Sequence, residues 1–133
     1  MNLNQVTVPV SDVERSIAFY KQLGLRLIVH SQGHYARFEC PEGDATFSLH
    51  HVPELPVGNG VWVYFEFGGG ENLDQYVEAL VKSGIEFDEM PEDRSWLWRE
   101  ARLKDPDGNQ IILFYGGENR KNPPWKLSTS TTS

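Results

Sequence analysis

Cysteine is almost missing from this chain. Cys40 is the single one in 133 residues, which excludes an intrachain disulfide framework and any cysteine-rich zinc site and suits a reducing cytosol. No apolar run approaches the length of a membrane span. The opening Met1-Asn2-Leu3-Asn4-Gln5 has neither the basic region nor the apolar stretch of a signal peptide, so a cytoplasmic protein is expected. Positive charge is also scarce. Twelve Lys+Arg face nineteen Asp+Glu, a net charge of −7, which argues against nucleic acid or an anionic membrane as the partner. What remains is ordinary globular composition, with 39% hydrophobic, 23% charged and 12% aromatic residues. A domain of this size buries roughly two-thirds of the surface its unfolded chain exposes.

Val6-Thr7-Val8-Pro9-Val10 alternates at period two, and Pro9, which cannot donate to a ladder, predicts an edge strand. Ser11-Asp12 follows as a helix N-cap candidate. Val13, Ile17, Tyr20 and Gly24 fall at helical spacing, with Gly24 as a left-handed C-cap. Strand-like runs then occupy 25–30, 35–40 and 45–52, the last two separated by Pro41-Glu42-Gly43-Asp44. After a Pro- and Gly-containing linker the pattern restarts. Residues 61–67 alternate, and Leu73, Val77, Leu80 and Val81 make a second helical stripe ending at Gly84. Strands are expected at 85–88, 99–104 and 110–115, the last two joined by Asp105-Pro106-Asp107-Gly108-Asn109.

The second half thus repeats the first, and Pro41-Glu42-Gly43-Asp44 lies sixty-five positions before Pro106-Asp107-Gly108-Asn109. The fold class expected is α+β: two tandem βαβββ modules forming curved sheets around a cavity. Module one covers about 3–52 and module two about 60–115, within one domain over 1–127. A polar extension occupies 116–127, and the Ser/Thr-rich 128–133 has no means of forming a core and is expected to be a disordered tail. In each module a helix covers one sheet face; the other face must line something, and a small-molecule ligand fits that place.

Gln5-Val6-Thr7-Val8-Pro9-Val10-Ser11-Asp12, followed by Ser16-Ile17-Ala18-Phe19-Tyr20 and Leu23-Gly24, resembles the opening of the vicinal-oxygen-chelate superfamily. That group includes glyoxalase I, bleomycin-resistance and fosfomycin-resistance proteins and extradiol dioxygenases. Asp105-Pro106-Asp107-Gly108-Asn109 before an apolar strand is similar to the family's second signature, and the resemblance covers about residues 3–115. It implies a homodimer, often with each cavity bordered by both chains, and in the enzymes one divalent metal. Carried over position by position, the family's ligands fall on Gln5 (usually His, Gln in some glyoxalases), Ser48, Trp62 and Ile112. Indole and aliphatic side chains have no lone pair for a cation, so neither metal nor cofactor is expected.

Alternation sets Ser48 and His50, then Trp62, Tyr64 and Glu66, then Gln110, Ile112 and Phe114 on the faces away from the helices. With Gln5, the residues Ser48, His50, Trp62, Tyr64, Glu66, Ile112 and Phe114 form the expected ligand-binding set. Three readings follow. The first is a metal-free binding protein holding a planar or apolar ligand, in the manner the bleomycin-resistance resemblance implies. The second is a divergent metal-dependent glyoxalase- or dioxygenase-like enzyme using Gln5, His50 and Glu66. The third is a metal-independent lyase or isomerase in which His50 or Glu66 moves a proton. Glu100 is a further catalytic candidate, although Glu66 and Glu100 each have strand arginines such as Arg37, Arg99 or Arg102 to pair with. His30 and His34 read as surface residues and Cys40 as an inert thiol. Trp96 and Trp98 read as a lid, a dimer contact or core filling. The ending Asn119-Arg120-Lys121-Asn122-Pro123-Pro124-Trp125 resembles that of related chains; it wraps a partner subunit, closes the cavity mouth or stays mobile.

Overall fold

The computed structural model describes residues 1–58 and 60–128, so of the tail expected to be disordered, 129–133 lies outside the described residues. The first repeat is β1 (Gln5–Val10), α1 (Val13–Leu23), β2 (Arg26–Ser31), β3 (Tyr35–Glu39) and β4 (Thr46–His51). The second is β5 (Trp62–Glu66), α2 (Gly70–Lys82), β6 (Glu89–Asp93), β7 (Arg99–Lys104) and β8 (Gln110–Tyr115), followed by the short α3 (Glu118–Lys121). Both sheets have four strands with the same connectivity, β1-β4-β3-β2 and β5-β8-β7-β6. The first is mixed, β1 running parallel to β4 while β3 is antiparallel to both its neighbours. Pro9 sits on the edge strand, where its missing N–H breaks no ladder. No helix among the described residues is long and apolar enough to cross a membrane.

The chain divides into two compact units: residues 1–63 with 104–111, and 64–103 with 112 onward. In the first, the Asp12 side chain accepts the Arg15 backbone N–H at 3.0 Å and starts α1. Gly24, at φ 119°, ends it in the left-handed conformation that only glycine enters cheaply. The buried face of α1 carries Val13, Ile17, Tyr20 and Leu23 and meets Phe38, Phe47 and Leu49 from β3 and β4. The Tyr20 ring lies 4.7 Å from that of Phe47. Because Ala36, Phe38, Phe47 and Leu49 point toward α1, their neighbours Tyr35, Arg37, Ser48 and His50 stand on the opposite face.

The turn 105–109 belongs to this first unit. Asp105 accepts the N–H groups of Asp107 and Asn109 at 3.0 and 2.8 Å, and Asn109 Nδ2 reaches the Pro9 carbonyl at 3.2 Å. Asp107 receives both the backbone N–H and the hydroxyl of Ser11. The signature turn therefore serves as a clasp on the end of β1.

In the second unit Leu73, Val77 and Leu80 of α2 are buried together with Ala101, Leu103 and Leu113. Val81, expected in that stripe, is 43% exposed. The strand expected at 85–88 is found at Glu89–Asp93 instead. Ile85 is buried and its N–H bonds the Leu80 carbonyl, so this apolar residue seals the end of α2 rather than opening a strand. Hydrogen bonding to β7 begins where the Asp88 N–H meets the Arg102 carbonyl.

Candidate functional site

Ala101, Leu103 and Leu113 turn toward α2, which leaves Tyr64 and Glu66 of β5, Phe114 of β8 and Trp98, just before β7, on the other face of the second unit. With Arg120 of α3 these residues line an open cavity of about 450 Å³. Trp98 and Phe114 stack with centroids 4.6 Å apart and planes at 23°. Tyr64 stands edge-on to both, 5.6 Å from Phe114 and 6.1 Å from Trp98. Offset stacking and edge-to-face contact are the arrangements that the ring quadrupole favours.

The chain after β8 holds this wall in place. Asn119 accepts the Trp98 indole N–H through its carbonyl at 3.2 Å. Arg120 Nε lies 3.3 Å from Glu66 Oε1, setting a polar pair beside the rings. A Cβ on Gly116 would come within 3.2 Å of the Trp98 indole nitrogen and 3.3 Å of the Phe114 ring, so the backbone passes where a side chain has little room. Of the ending 119–125, Arg120 lines the aromatic cavity.

Glu100 is 1% exposed and lies outside that lining. Its carboxylate accepts the Trp96 indole N–H at 2.7 Å and Arg102 Nη2 at 3.0 Å, so the expected strand arginine has claimed it. Glu66 pairs not with a strand arginine but with Arg120 on α3. Between β6 and β7 the turn places Leu97 at φ 69°, a left-handed conformation rare for a branched side chain.

The first unit presents a polar face. Gln5 Nε2 donates to Ser48 Oγ at 2.5 Å, and the Thr46 hydroxyl donates to Gln5 Oε1. Ser48 Oγ lies 2.7 Å from the Tyr35 hydroxyl, which accepts Arg37 Nε at 2.8 Å. Arg37 also lies over the Tyr35 ring, 5.4 Å from its centroid. Burial pushes the Tyr35 phenol up, but hydrogen bonds from Ser48 and Arg37 and the charge of Arg37 outweigh it, and its pKa falls below the ordinary value. His50 is exposed, in register with Tyr35 and Pro9; Trp62 is 47% exposed.

The donor set can be tested against the cation that the resemblance implies. Both amide atoms of Gln5 are engaged by Ser48 and Thr46, and Ser48 is fully buried within the same network. Trp62 and the fully buried Ile112 have no lone pair to give. Among the described residues no group of three or more His, Cys, Asp or Glu is placed to hold an ion. These residues do not fit a divalent metal.

Of the expected binding set, Tyr64, Glu66 and Phe114 line one cavity; Gln5 and Ser48 join in one network in the first unit. Trp98, Arg120, Tyr35 and Arg37 were not in that set. Tyr35 and Arg37 were legible from the alternation Tyr35-Ala36-Arg37-Phe38, and Trp98 from extending the β7 alternation by one step. Arg120, beyond the repeats, was signalled only as part of the ending that resembles related chains, with no residue-level role.

A profile of the Glyoxalase/Bleomycin resistance protein/Dioxygenase superfamily matches residues 2–113. No curated protein matches the chain. A glyoxalase/bleomycin resistance protein/dioxygenase from Nocardioides superposes with a TM-score of 0.77 at 27% identity, over 96% of this chain and 90% of that one. Lactoylglutathione lyase from Agrobacterium tumefaciens gives 0.74 at 16% identity, over 86% and 93%. A bleomycin resistance determinant encoded on the transposon Tn5 gives 0.71 at 20% identity, over 86% and 98%.

Proposed function

The chain belongs to the Glyoxalase/Bleomycin resistance protein/Dioxygenase superfamily, and from that membership we propose that it is a binding protein, working without a metal ion, for a planar and largely apolar small molecule. The observation that carries this reading is the wall formed by Trp98, Phe114 and Tyr64 around a cavity of about 450 Å³. Small-molecule cavities of roughly 300–1,000 Å³ are usual, apolar in the main with a few polar groups to orient the guest. Here the rings supply stacking area and the Glu66–Arg120 pair supplies the polar edge. Each ring pair formed with a guest contributes about 0.5–1.5 kcal/mol beyond burial of area.

The lack of suitable donors at Trp62 and Ile112 supports a site that binds without Lewis-acid help. A homodimer, which the family resemblance implies, is part of the same proposal. Tryptophan fluorescence during titration with planar aromatic compounds is the test. Quenching that saturates in the natural chain and is lost in Trp98→Ala is the expected result, with Trp62→Ala marking any contribution from that second indole. Saturable binding that persists undiminished in Trp98→Ala would sink the assignment of the cavity. Elemental analysis of protein purified without added metal is expected to find no stoichiometric transition metal, and an equivalent of bound metal per chain would sink the metal-free reading.

A further inference from the structure

We propose that the face of the first sheet turned away from α1 carries a receptor for a small organic carboxylate, built from the guanidinium of Arg37 and the hydroxyl of Tyr35. This goes beyond the aromatic cavity, which involves neither residue.

The argument starts from a charge without a partner. Arg15, Arg26, Arg94, Arg99, Arg102 and Arg120 each lie within ion-pair distance of a carboxylate. Arg37 is the remaining arginine, and among the described residues it has none. In a chain with nineteen acidic residues against twelve basic ones, a cation left without a carboxylate runs against composition. Arg37 is nevertheless held. Its Nε is committed to Tyr35 at 2.8 Å and its Cζ lies over the Tyr35 ring, 5.4 Å from the centroid. The two terminal nitrogens are left as the fork that matches a carboxylate.

Proton accounting gives the second half of the receptor. Thr46 donates to Gln5 Oε1, which orients the amide so that Nε2 donates to Ser48 Oγ. Ser48 is fully buried, and its own hydroxyl proton needs an acceptor. The Tyr35 oxygen, 2.7 Å away, is the acceptor within reach. That oxygen therefore accepts from Ser48 and from Arg37 Nε together, and the Tyr35 O–H is left pointing outward as a donor. Against the upward push of burial, hydrogen bonds from these two donors, the charge of Arg37 and a smaller hydrogen-bond contribution from Gln5 hold the Tyr35 pKa below its ordinary value.

The result is one acidified O–H beside one guanidinium edge, both locked by a chain of hydrogen bonds reaching back to β1. Such preorganisation lowers the ordering cost of binding. An oxyanion satisfies both groups at once, with charge-assisted bonds about twice as strong as neutral ones. A neutral amide would leave the guanidinium uncompensated.

Benzoate titrated calorimetrically into the full chain, with benzamide as its neutral counterpart, tests the receptor. Benzoate is expected to bind in a salt-sensitive manner and benzamide not measurably. Arg37→Gln is expected to weaken benzoate by about tenfold or more, and Tyr35→Phe by a smaller factor. Arg37→Lys, which keeps the charge and loses the fork, falls between natural chain and Arg37→Gln and serves if the latter does not fold. Absence of benzoate binding, equal binding of benzamide, or unchanged affinity in the Arg37 variants overturns the proposal. Trp98→Ala separates it from the aromatic-cavity reading. Benzoate affinity is expected to survive that change; its loss there, with Arg37→Gln unaffected, overturns the receptor and leaves the cavity standing.

Discussion

The Tyr20 hydroxyl donates to Asp105 Oδ2 at 2.7 Å across a separation of 85 residues, tying the buried face of α1 to the signature turn of the second repeat. Asp105 also accepts two backbone N–H groups and the Asn109 side chain, so its carboxylate is the hub of the clasp.

That hub makes the two partners unequal. Tyr20→Phe removes one donor and leaves Asp105 Oδ2 served by Asn109, at a cost of about 1 kcal/mol. Asp105→Ala strands several buried donors at once and is expected to cost about 3 kcal/mol or more. Urea unfolding of both variants checks the ranking; equal costs would show that the carboxylate is not the hub.

Tyr35 is expected to ionise before Tyr20. Tyr35 is lowered, because hydrogen bonds from Ser48 and Arg37 and the Arg37 charge override the upward push of burial. Tyr20 is raised by burial and then by the Asp105 charge. The linkage signs are opposite. The Tyr35 contribution to stability is present above the unfolded value of about 10 and is lost as pH falls through its lower folded value. The Tyr20 contribution is complete below about 10 and is lost at more alkaline pH, as the unfolded chain sheds its proton first. Phenolate absorbance against pH is the measurement; Tyr35→Phe should delete a step below the ordinary tyrosine value of about 10, and Tyr20→Phe one above it; the reverse would refute the order.

Leu97 occupies φ 69° while 48% exposed, so its side chain contributes little burial to set against its backbone strain. The left-handed region costs an L-residue roughly 1–2 kcal/mol, and glycine pays back about 0.5–1 kcal/mol in unfolded-state entropy. Leu97→Gly is therefore expected to be neutral to stabilising by about 1 kcal/mol. A clear fall in melting temperature would mean that the Leu97 side chain makes contacts worth more than the strain.

Trp98 combines a stacked ring with an indole N–H bonded to Asn119. Its truncation to alanine is expected to cost about 2 kcal/mol, below the 3–5 kcal/mol of a fully buried tryptophan because its surface is only partly enclosed. Loosening of α3 should accompany it, seen as faster hydrogen exchange in residues 118–121. Unchanged exchange there would show that α3 is held by other contacts.

Local chemistry was legible in the sequence and long-range pairing was not. Asp12 and Gly24 marked both ends of α1 because capping involves only neighbouring backbone groups. Strands 99–104 and 110–115 were read residue for residue, since a tight turn separates them. The strand at 89–93 was misplaced because Ile85 is apolar for the sake of a helix end, a distinction that periodicity does not make. Alternation assigned Tyr64, Glu66 and Phe114 to one face and, carried one step before β7, reaches Trp98, yet it could not say that Arg120, outside any strand, would join them.

By itself the sequence determined the doubled βαβββ plan, the caps and turns, and the chemical character of the donors, all properties of adjacent residues or of side-chain type. Only the tertiary structure decided which charges were spent. Arg102 took Glu100, Arg120 took Glu66, and Arg37 was left with Tyr35. Ion pairs depend on distance in space, and a folded sheet sets that distance with little regard to separation along the chain.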